Sequence, residues 1–263
     1  MSYQTILFQS DAGVARLTLN RPERLNSFNV QMHQEVREAL AQLAASKDAR
    51  VLVLSGAGRG FCAGQDLSDR AVTPGAQGTD LGDSIEHYYK PLVLALRNLP
   101  MPVIGAVNGV AAGAGANIAL ACDLVIAARS ASFVQAFSKL GLVPDSGGTW
   151  FLPRLLGNAR AMGLALLGDK LPAEQAAQWG LIWRCVDDAE FKAVVDQLAA
   201  QLAAAPTKGL ARTKQAIYES WDKTLEQQLN TERDFQRELG RSQDYAEGVA
   251  AFTEKRTPKF VGR

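Results

Sequence analysis

The sequence predicts an α/β fold with mainly parallel strands. Three short apolar segments have the composition of buried strands: RVLVLSG at residues 50–56, PVIGAVNG at 102–109 and CDLVIAA at 122–128. Segments with the apolar spacing of helices separate these strands, and such alternation is typical of parallel βα units. The chain has 263 residues, of which 47% are hydrophobic, so we expect one sizeable core.

The first predicted elements are a hairpin and a helix. TILFQS and VARLTLN flank the turn signal DAG, which predicts two antiparallel strands. Asn29 is a suitable N-cap for the helix that follows. The apolar residues of this helix recur at helical spacing, and they predict a buried face formed by Met32, Val36, Ala39, Leu40 and Leu43.

Later elements are predicted in the same way. A helical segment ends near Leu99, before the second apolar strand, and VAAGAGANIALAC combines a loop with a helix. Beyond Gly147 the pattern is mostly helical, with LIWRCVD as one strand-like piece, and no strand signal follows Pro206. We therefore expect two domains, a core over residues 1–200 and a C-terminal helical trimerisation region over residues 201–263.

Charge and reactive side chains exclude several function classes. The 28 basic and 27 acidic residues form no long run of one sign, so neither nucleic acid nor a membrane is an expected partner. The segment MSYQTILFQS lacks the pattern of a signal peptide, and a cytoplasmic location is expected. Three separated cysteines and two histidines disfavour a disulfide framework, a metal site and a histidine-dependent triad. Cys62 is either a buried small residue or a nucleophile.

Two small-residue loops, one in AGRGFCAGQDL at 57–67 and one in VAAGAGANIALAC at 110–122, are candidates for ligand binding. Each follows an apolar strand of the predicted sheet. Neither is a nucleotide motif, since Ile118 replaces the third glycine of GxGxxG and no GxxxxGK[ST] occurs. Glycine and alanine allow close approach to the backbone, and two free N–H groups would form an oxyanion hole. Tight helix packing is the alternative explanation of GAGAN, residues 113–117.

Asp145 is the candidate acid. It lies in GLVPDSGGTW at residues 141–150, between a proline and a pair of glycines. Proline, aspartate and glycine also make ordinary surface turns, so a purely structural turn residue is the alternative. With histidine scarce, a carboxylate is the natural proton carrier if the protein is an enzyme.

Four motifs, in order, resemble those of the crotonase, or enoyl-CoA hydratase/isomerase, superfamily. They are FCAGQDL (61–67), PVIGAVNGVAAGAG (102–115), ACDLVIAA (121–128) and GLVPDSGGTWFLPRLLG (141–157), and RPERLNSF (21–28) and AFTEKRTPKF (251–260) also fit. The resemblance covers essentially the whole chain. It implies a crotonase-type spiral of ββα units with a C-terminal helical region, a homo-oligomer (a trimer or a dimer of trimers) and an acyl-CoA substrate.

The resemblance also implies the site residues. The oxyanion-hole donors would be the backbone N–H groups of Gln65 and Ala114, and Asp145 would move the proton. The implied CoA or substrate contacts are Arg24, Ala63, Asp66, Leu67, Asn117, Phe137, Phe252 and Lys255. In the family, residues at the positions of Phe252 and Lys255 can contact the CoA bound to a neighbouring subunit. No cofactor is implied, because coenzyme A is part of the substrate.

Two departures from the family pattern narrow the expected activity. Family hydratases carry glutamates where this sequence has Asn117 and Phe137, neither of which can be a general base. One acid at position 145 resembles the isomerases, and dehalogenases of the superfamily also place a carboxylate there. Several segments of the sequence most resemble isomerases of aryl-CoA ring epoxides. This resemblance implies a one-base proton shift from C2 of the acyl group. The alternatives are a Δ3,Δ2-enoyl-CoA isomerase and a non-catalytic acyl-CoA-binding subunit.

Overall fold

The strands of the chain alternate between two sheets. In the computed structural model, which describes residues 3–70 and 80–263, a six-stranded sheet has the order β1-β2-β3-β5-β7-β10. Its strands are β1 Ile6–Asp11, β2 Val14–Leu19, β3 Val51–Gly56, β5 Val103–Val107, β7 Leu124–Ala128 and β10 Arg184–Val186. A second sheet, of order β4-β6-β8-β9, contains β4 Gly60–Cys62, β6 Val110–Ala112, β8 Ser132–Val134 and β9 Lys170–Pro172.

The strand order makes the fold a spiral. β3, β5 and β7 pair in parallel in the first sheet, and the strands that follow them, β4, β6 and β8, pair in parallel in the second. Each turn of chain thus adds one strand to each sheet before a helix returns it. Only the end pairs β1–β2 and β8–β9 are antiparallel among the described strands. The predicted α/β fold and its spiral of ββα units are confirmed.

The helices cover the sheets and form the C-terminal part of the chain. They are α1 Val30–Ala45, α2 Leu81–Ser84, α3 Lys90–Asn98, α4 Ala114–Leu120, α5 Gly148–Leu167, α6 Ala173–Trp179, α7 Asp188–Ala204, α8 Thr207–Glu219, α9 Leu225–Leu239 and α10 Gln243–Glu254. A π-helical turn, Ile85–Tyr89, joins α2 to α3. None of the helices in the described ranges is long and apolar enough to cross a membrane.

Local signals in the sequence act as predicted. The Asn29 side chain accepts a hydrogen bond of 2.8 Å from the Met32 N–H, which caps α1. All five residues of the predicted apolar face of α1 are buried. On the six-stranded sheet, Val53, Ile104 and Ile126 pack against Val195 and Ala199 of α7 and form a second hydrophobic cluster.

The domain boundary proposed at residue 200 falls inside α7. This helix continues to Ala204, and Ala203 is still buried against the sheet. The helices α8, α9 and α10 follow Pro206, and residues 257–263 after them are not helical. The division into a core and a helical trimerisation region stays a prediction, and the end of α7 is its natural limit.

Candidate functional site

The two small-residue loops meet because the strands before them are neighbours. β4 and β6 pair in parallel, so their carboxyl ends lie side by side. Gly64 has a φ of +90°, and a Cβ there would lie 3.0 Å from the Ala112 carbonyl oxygen and 3.3 Å from the Ala114 nitrogen. A Cβ at Gly115 would lie 2.2 Å from the Cys62 carbonyl oxygen. The glycines are therefore required for this close contact of the loops.

The two predicted oxyanion donors are free in this structure. The N–H groups of Ala63 and Asp66 donate to backbone carbonyls at 2.9 Å. Those of Gln65 and Ala114 have no hydrogen-bond partner within the described ranges. Ala114 is the first residue of α4, where an amide hydrogen has no partner within the helix. The two loops thus place free donors together at the ends of adjacent strands, as an oxyanion hole requires.

A buried ion pair fixes the loop that carries Gln65. The Asp66 carboxylate is 6% exposed and lies 2.8 Å from Nη2 of Arg21, while Ser68 donates to it from its hydroxyl and its N–H. Hydrogen bonds from Ser68, and then the charge and hydrogen bond of Arg21, hold the pKa of Asp66 below its usual value although burial opposes this. Asp66 braces the loop, and its predicted contact with CoA stays a prediction.

The side chain of Gln65 is also held. The Tyr89 hydroxyl, in a side chain only 1% exposed, donates to Oε1 of Gln65 at 2.9 Å. Nε2 of Gln65 donates to the Asp66 carbonyl at 3.2 Å. The Phe28 N–H donates to the Gly64 carbonyl at 2.7 Å. These three bonds restrict the orientation of the peptide whose N–H is the first donor.

Asp145 lies in a tight turn directly before α5. Ser146 and Gly147 both have positive φ, at 51° and 86°, and Gly148 is the first residue of the helix. The Ser146 hydroxyl donates to Oδ1 of Asp145 at 2.9 Å, and the aspartate itself is half-buried. The turn residues thus set the direction of the carboxylate and leave part of it accessible.

A chain of side-chain amides connects this turn to α4. Asn117, which is 0% exposed, donates from Nδ2 to the Asp145 carbonyl oxygen at 2.8 Å. Its Oδ1 accepts a bond of 2.8 Å from Nε2 of Gln135. Asn117 lies about one helical turn after Ala114, so this hydrogen bond connects the turn of Asp145 to the helix that begins at the second predicted donor. The substrate contact predicted for Asn117 is untested, and both ends of its amide are bound to protein. Gln135 has no sequence signal that would have identified it.

Phe137 forms an apolar wall beside the same loop. It is 6% exposed, and its Cζ lies 3.8 Å from the position of a Cβ on Gly113. Positions 117 and 137 thus present an amide and a phenyl ring, and neither can activate a water molecule. The acidic side chain in this part of the structure is that of Asp145, in the turn that Asn117 binds.

The other predicted contacts lie at the surface or in the C-terminal helix. Arg24 is exposed in a 3-10 turn, and the neighbouring Leu25 carbonyl accepts from the Ala63 N–H. Leu67 is 58% exposed next to this segment. Phe252 is 88% exposed on α10, and Lys255 is the exposed residue directly after it. Arg24 and Leu67 lie near the Gln65 loop, whereas Phe252 and Lys255 belong to the end of the chain.

Two alternative sites are disfavoured. Burial raises the pKa of the Cys62 thiol to about 12, so it is neutral at physiological pH and is a packing residue rather than a nucleophile. Among the described residues, no group of three or more His, Cys, Asp or Glu side chains could hold a metal ion.

A cavity of about 1490 Å³ lies between α3, α8 and residues 261–263. Gly147 and Trp150 are part of its wall, but the two donors and Asp145 are not. The cavity therefore borders the beginning of α5 and is not lined by the three predicted catalytic residues.

Fold and site together define an enzyme class: a ββα spiral with two free amides in adjacent loops and one carboxylate beside them is the crotonase arrangement. A family model described as enoyl-CoA hydratase/isomerase matches residues 9–263, and the chain belongs to this family.

Two relatives and one solved structure support this membership. The chain is 60% identical, over 98% of both sequences, to a protein of Escherichia coli (strain K12) named 1,2-epoxyphenylacetyl-CoA isomerase. It is 49% identical, over the whole of both chains, to a protein of Rhodobacter capsulatus named "Probable enoyl-CoA hydratase". The crystal structure of an enoyl-CoA hydratase from Bacillus anthracis has a TM-score of 0.91 at 32% identity, covering 99% of this chain and all of that one.

Proposed function

We propose that the protein is an isomerase that converts ring-1,2-epoxyphenylacetyl-CoA into its oxepin-CoA isomer. The observation that carries the proposal concerns the acid Asp145: its backbone carbonyl accepts a hydrogen bond from Asn117, in the helix that begins at the free amide of Ala114. The relative of 60% identity bears the name of this activity, and its match extends over nearly the whole chain.

The proposed reaction moves one proton. The N–H groups of Gln65 and Ala114 bind the thioester oxygen and stabilise the negative charge that develops when C2 is deprotonated. Asp145 accepts the C2 proton, and the electron pair of the C–H bond forms the enolate. The fused epoxide ring opens to the seven-membered oxepin, and protonated Asp145 returns the proton further along the conjugated system. The product has a C=C bond in conjugation with the thioester, so the reaction needs no redox partner and no cofactor besides the CoA of the substrate.

The side chains at positions 117 and 137 support isomerisation over hydration. A hydratase must hold and activate water, and this needs acid–base groups on the substrate's face. The Asn117 amide is occupied by Gln135 and by the Asp145 carbonyl, and Phe137 places a ring beside the oxyanion loop. An apolar wall of this kind also keeps water from a reactive epoxide.

A Δ3,Δ2-enoyl-CoA isomerase is the second candidate, favoured by the same free amides and the same base. The step at C2 is identical, and only the acyl group differs. A non-catalytic acyl-CoA-binding subunit would have no need of a carboxylate held in a turn with two positive φ angles.

A homo-oligomer is part of the proposal. Tyr245, Val249 and Phe252 are 59%, 50% and 88% exposed and lie on one face of α10. We propose that this face contacts a neighbouring copy in a trimer or a dimer of trimers, where Phe252 and Lys255 reach that copy's CoA. Light scattering after size exclusion tests the assembly. We also propose a cytoplasmic location, since the spacing of the three cysteines is not that of a disulfide framework.

The experiment that tests the function compares wild type with Asp145→Asn. Asparagine keeps the shape of the side chain and cannot act as a base. Oxepin formation from the epoxide and isomerisation of a 3-enoyl-CoA are followed by ultraviolet absorbance. Hydrogen–deuterium exchange at C2 of phenylacetyl-CoA in D2O reports the first proton transfer alone. We expect the variant to lose activity by about 10²–10⁴-fold, the contribution typical of general-base catalysis.

Binding and hydration assays complete the test. The variant should still bind phenylacetyl-CoA, and wild type should add little water to crotonyl-CoA. Substantial hydration of crotonyl-CoA would contradict the isomerase assignment. Tight binding of CoA esters without turnover or C2 exchange would show the non-catalytic subunit instead.

A further inference from the structure

The burial of Gln135 leaves one polar atom without a partner, which costs folding stability. It follows β8 directly and is 3% exposed. Its Oε1 has no hydrogen-bond partner within the described residues, although it is buried. A buried acceptor without a partner is unfavourable and needs an explanation. A methionine would remove this unpartnered oxygen, but it would also remove the donor that Oδ1 of Asn117 accepts from.

The orientation of the amide chain follows from its last acceptor. The Asp145 carbonyl oxygen can only accept, so the Asn117 atom that faces it at 2.8 Å must be Nδ2. Oδ1 of Asn117 therefore faces Gln135, and the Gln135 atom at 2.8 Å must be the donor Nε2. Gln135 thus turns the Asn117 amide so that it holds the peptide of the base.

The same stretch of chain also touches the oxyanion loop. The carbonyl of Val134 accepts from the Gly113 N–H at 2.9 Å, directly before the donor Ala114. The end of β8 therefore contacts the loop of one donor through Val134 and the turn of the base through Gln135 and Asn117. A displacement of this end changes the distance between base and donor.

We propose that Gln135 is a positioning residue, which acts through Asn117 to hold Asp145 at the correct distance from the oxyanion hole. This inference rests on the proposed role of Asp145 as the base. It explains why an amide with one unpartnered oxygen is kept in the interior, because only its N–H donor orients Asn117.

The test compares Gln135→Met with Ser132→Ala. Methionine has nearly the volume of glutamine and lacks the donor. Ser132 is the matched control, because it lies in β8 just before Gln135, is 0% exposed and also has a buried oxygen without a partner among the described residues. Both variants are measured for 3-enoyl-CoA isomerisation, C2 exchange of phenylacetyl-CoA, melting temperature and amide exchange of Gly148, whose N–H donates to the Asp145 carbonyl.

We expect kcat and the C2 exchange rate of Gln135→Met to fall about tenfold, because small displacements of a reacting group are costly, with KM nearly unchanged. Its melting temperature should change little, because the substitution removes the unpartnered Oε1 of Gln135 but leaves Oδ1 of Asn117 without its donor. The Gly148 amide should exchange faster. Ser132→Ala should match wild type in all rates. A purely structural role would instead lower the melting temperature and leave kcat and the exchange of Gly148 unchanged.

Failure of this inference differs from failure of the proposed function. If wild type is active and Gln135→Met has the same kcat, the positioning role is refuted and Asp145 remains the base. If wild type neither isomerises nor exchanges C2, the proposed function fails. Amide exchange of Gly148 then decides only whether Gln135 holds the turn of Asp145 through Asn117: faster exchange in Gln135→Met supports this, and unchanged exchange refutes it.

Discussion

Replacing Ala114 by proline removes an N–H group that we propose as an oxyanion donor and that makes no hydrogen bond within the described residues. The Ala114 N–H has no partner among the described residues, so the folded chain loses no hydrogen bond. Ala114 is also the first residue of α4, a position that accepts proline because its φ is already helical. The substitution therefore acts mainly on the substrate oxygen.

Loss of one such donor reduces kcat by roughly 10²–10³-fold, which is about 2.7–4 kcal/mol of transition-state stabilisation. The ring adds a carbon to a nitrogen that lies close to the backbone of Gly64, where a Cβ, if present, would be only 3.3 Å away. Overpacking of this kind costs roughly 1–3 kcal/mol of folding stability, so unfolding is measured alongside activity.

The assay is C2 exchange of phenylacetyl-CoA together with 3-enoyl-CoA isomerisation, and direct binding of phenylacetyl-CoA is measured in parallel. Ala114→Gly is the control, because it keeps the N–H and should retain most of the wild-type kcat. If Ala114→Pro folds, binds the ester and turns over at nearly the wild-type rate, the second donor is not at position 114.

Three further predictions concern packing and protonation. In Gly148→Ala the new Cβ would lie 2.4 Å from Nδ2 of Asn117. We therefore expect urea unfolding to show a free energy of unfolding lower by about 2–4 kcal/mol, because of overpacking and a broken hydrogen bond. A change near zero would show that Asn117 moves aside freely. Because the pKa of Asp66 is lowered in the folded state, its contribution is present above the unfolded pKa of about 4 and disappears as pH falls further. Asp66→Asn should therefore be less stable than wild type at pH 7, and the difference should shrink towards pH 3; a constant difference would contradict the ionic role. Thiol titration should detect no more than one reactive cysteine in the native protein, the half-buried Cys185, and three cysteines after unfolding. Rapid labelling of a second thiol in the native protein would contradict the burial of Cys62 and Cys122.

Local sequence signals predicted most of the fold because they act over a few residues. The N-cap at Asn29, the apolar face of α1 and the three buried strands are each visible in one short window. Each depends on helix capping, on side-chain periodicity or on the apolar composition of a strand, and none of these needs knowledge of distant residues. Motifs shared with the family supplied the positions of the donors and of Asp145.

The strands of the second sheet could not be predicted from local sequence signals. β4, β6, β8 and β9 are each three residues long, which is too short for a periodic pattern. Their hydrogen bonds are made to strands far away in sequence, such as β6 to β8. Whether such a segment is a strand is decided by its neighbour, so only the assembled fold defines it.

The sequence by itself determined the alternation of strands and helices, the glycines that allow close approach and the identity of the single acid at position 145. The tertiary structure alone brought Gln135 to Asn117, 18 residues away, and Asn117 to Asp145, 28 residues away. The physical reason is that a hydrogen bond between side chains depends on distance and direction in space, whereas local sequence patterns describe only how each segment folds.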